Sequence, residues 1–134
     1  MTLTAIHASA LPKPRFLYSP CVKSGPFYQV SGLIALDPAS GTLEPGGPGP
    51  ETARILSNVS LALPQWGLTF DDLMIARIFT TRMDLFGEIN ASWYACFKAV
   101  TRPPARTSVG VVALPINASV EIEFCFYREQ ALSG

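Results

Sequence analysis

Apolar and polar positions repeat in two rhythms along the chain, and the switches between them mark out its elements. "FYQVSGLIAL", about Phe27 to Leu36, alternates and then runs apolar, which predicts a strand. Ile55, Val59, Ala62, Leu63 and Trp66 recur at three- and four-residue steps. "ETARILSNVSLALPQWG" is therefore expected to be an amphipathic helix with Gly67 as its stop. Pro64 would clash with the carbonyl four residues back, so a kink or an early end is expected there. "LMIARIFTT" returns to the strand rhythm. "MDLFGEINASWYACFKAV" predicts a second helix, with Asp84 as its N-cap. Its apolar face would carry Leu85, Phe86, Ile89, Trp93, Phe97 and Val100. Thr107–Leu114 and Ser119–Tyr127 read as two more strands around the turn "PINA". An early strand is expected near "RFLYSP". Asp37 to Glu51, "DPASGTLEPGGPGPE", is too rich in glycine and proline for either rhythm and reads as one long irregular loop.

The order is strands, helix, strand, helix, two strands. Each helix needs a sheet to cover its apolar stripe. The expected fold class is therefore α+β, a mixed β-sheet with two α-helices packed on one face. In the last strand Val120, Ile122, Phe124 and Phe126 share one face and suit the helix side. Glu121, Glu123, Cys125 and Tyr127 share the other. Burying an unpaired charge is very costly, so this second face should meet water or another subunit.

Composition narrows the picture. A chain of 134 residues is expected to be a single domain, 1–134. Only 15% of it is charged, a weak hint that part of its surface lies against another chain. Ten basic and ten acidic residues cancel, and the basic ones are scattered, so no row of phosphates is matched and nucleic acid is not an expected partner. Three irregularly spaced cysteines suggest neither a disulfide framework nor a zinc site. "MTLTAIHASALPKPR" is not a secretory signal and no stretch is long enough to span a membrane, so a cytoplasmic setting is expected.

The chemistry is narrowed in the same way. The single histidine, His7, lies in a segment expected to be mobile, which argues against a histidine triad, metal cluster or general base near the core. No phosphate-binding glycine motif is present. What remains is Arg106, Glu121, hydroxyls on Tyr18, Ser31, Thr107 and Ser108, and Asn90. A guanidinium binds a carboxylate through two parallel hydrogen bonds, so Arg106 suits a small carboxylic acid. The alternative is a surface arginine paired with some acid. If the last two strands form a hairpin with Leu114 opposite Ser119, Arg106 and Glu121 are six residues out of step, roughly 20 Å. They could then share a small site only across two subunits.

"SGLIALDPASG", "LSNVSLAL", "MDLFGEINASWYACF" and "PARTSVGVVALPINASVEIE" resemble, in order and spacing, the Rid family, also called the YjgF or L-PSP endoribonuclease family. The resemblance runs from about Tyr18 to Glu123. It implies a chorismate-mutase-like fold, a homotrimer with clefts between subunits, and hydrolysis of reactive 2-imino acids to 2-keto acids and ammonia without metal or organic cofactor. By the same resemblance Arg106 would clamp the substrate carboxylate and Glu121 would position or activate water. Tyr18, Ser31 and Gly32 would line the cleft. Asn90 matches a family-typical asparagine. Ser108 stands where a cysteine is often found. For two of these a structural role is the alternative: Ser31 could satisfy strand backbone, and Asn90 could hold a loop or carry structure inside the helix; the match at Tyr18 crosses a variable region. Pro64, Pro103–Pro104 and the enlarged loop at 44–50 depart from the standard pattern.

Four functions are thus carried forward: a 2-iminobutanoate/2-iminopropanoate deaminase-like hydrolase, a non-enzymatic trimer binding small carboxylates, an endoribonuclease, and, last, a chorismate mutase. An imine of a small keto acid is itself prone to water attack. Orientation by an arginine and a carboxylate can therefore be enough for catalysis.

Overall fold

The computed structural model of the chain describes residues 2–129. Six strands form one sheet: β1 (Leu3–Ile6), β2 (Cys21–Ser24), β3 (Phe27–Leu33), β4 (Leu73–Thr80), β5 (Ala105–Gly110) and β6 (Val120–Tyr127). Helix α1 (Pro48–Trp66) joins β3 to β4, and α2 (Phe86–Phe97) joins β4 to β5. The spatial order is β1-β2-β3-β6-β4-β5. Only β4 and β5 pair in parallel. Because β3 and β4 both run antiparallel to the β6 that separates them, α1 is also a crossover between parallel strands. Both crossovers progress in the same direction across the sheet. Their shared handedness places both helices on one face, where they pack on each other. The fold is α+β, as expected from the pattern.

Burial follows the predicted faces. Val120, Ile122, Phe124 and Phe126 are fully buried against Ile55 and Val59 of α1 and Ile89 of α2. Trp66, Trp93 and Phe97 close the ends of this core.

Several local expectations are corrected. "RFLYSP" is irregular, and the two extra strands are β1 and β2, the latter turning into β3 through Gly25 (φ 56°) and Pro26. The Gly/Pro loop is shorter than expected, because α1 already begins at Pro48, where a proline's fixed φ and missing N–H suit a first turn. Pro64 does not end α1, which runs on to Trp66. It falls in the last turn, where only one backbone bond is forfeited. The end is set by Gly67 in the left-handed region (φ 71°), with Leu68 N–H bonding Leu63 C=O at 3.0 Å and Gly67 N–H bonding Pro64 C=O at 3.3 Å. Asp84 does not cap α2. A 3₁₀ turn at Met83–Leu85 precedes the helix, and Asp84 pairs instead with Arg82 at 2.9 Å.

The expected hairpin is absent. β5 pairs only with β4, and β6 lies between β3 and β4. The physical reason lies in β6 itself. Its one apolar face is wholly buried and Cys125 on the other is nearly so, which suits a central strand with neighbours on both sides. β5 is mostly exposed and sits at the edge. Residues 111–119 carry the chain back from that edge to the centre.

Candidate active site

The residues singled out in the sequence fall into two groups. Arg106 and Ser108 of β5 stand beside Ala76 and Ile78 of β4, both fully buried on the helix side. Arg106 therefore points toward α2. Its guanidinium carbon lies 5.3 Å from the ring centroids of both Phe86 and Trp93. These two aromatics are seven residues apart, two helical turns, and so share one face of α2. Asn90, between them, lines the same groove together with Tyr94 and Lys98.

Arg106 has no carboxylate partner among the described residues, whose ion pairs are Arg54–Glu44, Arg77–Glu123, Arg82–Asp84 and Arg128–Asp72. Burial pulls its pKa below the usual arginine value, yet a guanidinium stays charged at neutral pH. A desolvated, aromatic-supported and unpaired arginine is a ready anion site. The buried hydroxyl of Ser108 is also without a hydrogen-bond partner among the described residues.

Glu121 lies on the opposite face of the sheet, opposite Phe79 of β4 and away from the helices. It sits at the edge of a bay of about 270 Å³ that also takes in Tyr18 and Gly32. Burial, and secondarily the nearby Glu123 charge, hold its pKa above the usual carboxylate value of 4.5. Gly32 covers it closely: a Cβ at that position would come within 3.0 Å of the Glu121 carboxyl carbon. A side chain at position 32 would press on this carboxyl and displace it. Ser31 donates its hydroxyl to Ser19 C=O at 2.7 Å, and its N–H bonds Pro20 C=O at 2.9 Å. Its hydroxyl thus ties the segment bearing Tyr18 to β3. Thr107 is on the same side of the sheet as Glu121, exposed, and away from Arg106.

Arg106 aligns with Ala76, which aligns with Phe124, three residues along β6 from Glu121. Two strand spacings and three residue rises separate the two backbones by roughly 14 Å. The hairpin estimate is replaced, and the obstacle to one shared site within a chain is now sharper: the two side chains leave opposite faces of the sheet.

Three participants are not legible as such in the sequence. Phe86 and Trp93 read as apolar helix positions, and only the placement of β5 turns them into a support for Arg106. Glu51 reads as a first-turn acid. It is 3% exposed, and its carboxylate accepts Ser119 N–H (2.9 Å), Val120 N–H (3.2 Å) and the Ser119 hydroxyl (2.5 Å). It thereby fixes the start of β6 immediately before Glu121. His7 belongs to neither group. It follows the paired strand β1, and its C=O accepts the Trp66 indole N–H at 3.1 Å, so its backbone is anchored rather than loose. Burial raises all three thiols, Cys21 to about 12 and Cys96 to about 11, so none is a ready thiolate. No group of metal-ligating side chains occurs among the described residues, and no helix is long and apolar enough to cross a membrane.

Comparison with known proteins bears on the fold and the family. The family model described as Endoribonuclease L-PSP matches residues 8–127. A RutC family protein of Aquifex aeolicus is 37% identical over 112 residues, 84% of this chain and 89% of that one. The 2-iminobutanoate/2-iminopropanoate deaminase of Mus musculus is 34% identical over 106 residues, 79% of this chain and 77% of that one. The crystal structure of RidA from the Antarctic bacterium Psychrobacter sp. PAMC 21119 superposes with a TM-score of 0.87 at 26% identity, covering 93% of this chain and 99% of that one. With a family model spanning nearly the whole chain and relatives above 30% identity, the chain belongs to the Rid (YjgF, L-PSP endoribonuclease) family.

Proposed function

We propose that the protein is a hydrolytic deaminase of 2-imino acids, acting in clefts between the subunits of a homotrimer. One observation carries this reading: an aromatic-supported arginine with no carboxylate partner among the described residues and a half-buried glutamate leave opposite faces of one sheet. Each face then holds half a site, which a neighbouring copy completes. The mouse relative's name supports the reaction class. Exposed Phe16, Leu17 and Val112 support an interface, since large apolar side chains cluster where a partner covers them.

In this reading Arg106 holds the substrate carboxylate, with the Ser108 hydroxyl beside it. Glu121, reached from the next subunit, orients a water against the C=N carbon and takes its proton as the C–O bond forms. Glu121 returns that proton to nitrogen to complete the carbinolamine, then takes the hydroxyl proton and passes it to nitrogen as the C–N bond breaks and C=O forms, so both water protons leave on ammonia. One water is consumed, and the products are a 2-keto acid and ammonia. A carboxylate whose pKa is raised toward the working pH is suited to both transfers. A ribonuclease reading has little support, since the basic residues are scattered over a chain of zero net charge.

The test generates 2-iminopropanoate or 2-iminobutanoate in situ and follows its loss. Acceleration over buffer is expected, with Arg106→Ala lowering kcat/KM by about 100-fold or more, the scale of losing a bidentate charged clamp. Arg106→Ala and Glu121→Ala subunits, each inactive alone, should regain about a quarter of wild-type activity when co-assembled 1:1, since each site draws its halves from two chains. Carboxylate binding that depends on Arg106 but gives no turnover would instead indicate a binding protein. Activity that never returns on mixing would place the whole site in one chain.

A further inference from the structure

The bay beside Glu121 has room for much more than a single water, and its lining is largely apolar. It holds about 270 Å³, several times the roughly 30 Å³ that one water takes in the liquid. Phe16, Leu33, Ile34, Leu36, Pro115 and Ile116 form half of its lining. Among these, Ile116 stands out. Its backbone is in the left-handed region, at φ 47° and ψ 34°, followed by Asn117 at φ 63°. Asparagine tolerates that region, whereas a β-branched residue there is a steric outlier. Turn geometry alone would favour glycine at 116. Isoleucine at this position carries strain, and what the strain obtains is an apolar side chain projecting into the bay.

The segment bearing Phe16 is also anchored. The Arg15 guanidinium bonds Gly41 C=O, which ties the segment bearing Phe16 to the turn at 37–42. Asp37 closes that turn by accepting Ala39 N–H and Ser40 N–H, both at 2.9 Å. Lys13 and Arg15 supply positive charge at the bay, and Glu121 supplies negative charge.

We infer that this bay receives the substrate's own side chain, that the site takes 2-imino acids with branched or aromatic apolar side chains, and that Ile116 sets this selectivity. This rests on the deaminase reading above. Bound by its carboxylate to Arg106 and presenting its C=N carbon to Glu121, an imino acid has only its side chain left to place. The apolar space adjoining Glu121 is where that group gains most from leaving water.

The experiment measures kcat/KM for imines generated in situ from alanine, 2-aminobutyrate, leucine, phenylalanine and aspartate. The leucine- or phenylalanine-derived imine should exceed 2-iminopropanoate by about 10-fold or more, the scale set by extra methylenes in an apolar pocket. Ile116→Gly relieves the backbone strain, so its melting temperature should not fall, and the leucine-to-alanine ratio should shrink severalfold. An interface role for Ile116 would instead change the assembled mass and slow every substrate alike. A flat series, a preference for the aspartate-derived imine, or an unchanged ratio in Ile116→Gly would overturn the side-chain subsite and leave the deaminase standing. No acceleration of any imine would overturn both.

Discussion

Under the deaminase reading, Glu121 serves function against stability. Burial and Glu123 raise its folded pKa above the unfolded value near 4.5. Between those two values the native state holds a proton that the unfolded chain has lost. The stabilisation is fully present below the unfolded pKa and is lost as pH rises through the folded one. At neutral pH the ionised group therefore weakens the fold. Glu121→Gln should melt at a higher temperature than wild type at pH 7, with the advantage narrowing as pH falls to about 4, while its deaminase activity is lost. The acid limb of wild-type kcat/KM should lie above the ordinary glutamate value, because Glu121 must be ionised to accept the water's proton. A limb at or below that value would remove Glu121 as the base. Gly32, packed against this carboxylate, was legible in the sequence only as part of "SG". That a side chain there would strike Glu121 follows from the pairing of β3 with β6.

At the scale of elements, the join between α1 and β6 matters most. Glu51 spans it with three accepted hydrogen bonds, and Thr80 adds its hydroxyl to Ser119 C=O at 2.7 Å. Glu51→Ala would leave two buried backbone N–H groups without partners and should lower stability by about 3 kcal/mol. Glu51→Gln keeps an acceptor for both and should lose only about 1 kcal/mol. Urea denaturation distinguishes the two, and equal losses would show that the carboxylate is not what holds the strand. The helix faces were legible because burial demands a 3.6-residue period. The hairpin expected for residues 107–127 is absent because alternation shows that a strand exists and which face is apolar, but not which strand it pairs with.

For the whole molecule, β5 is an exposed edge and Phe16, Leu17 and Val112 stand 85%, 92% and 101% exposed. Under the trimer reading these surfaces meet a neighbouring subunit. Leu17→Asp should then lower the assembled mass measured by light scattering, with activity falling in step and little change in far-ultraviolet circular dichroism. An unchanged mass would exclude Leu17 from the interface.

The sequence by itself determined the α+β class, the two amphipathic helices, the Gly67 stop and the outward face of Glu121. Each follows from a local rule: periodicity, the left-handed freedom of glycine, or the cost of burying a charge. It also carried the family, through motifs spread over most of the chain. Tertiary structure decided the order of the strands, and with it the chemistry around Arg106. Pairing β5 in parallel with β4 brings the guanidinium over Phe86 and Trp93, while inserting β6 at the centre sends Glu121 out of the other side. Strand partners are chosen by contacts distant in sequence, and no period along the chain records them.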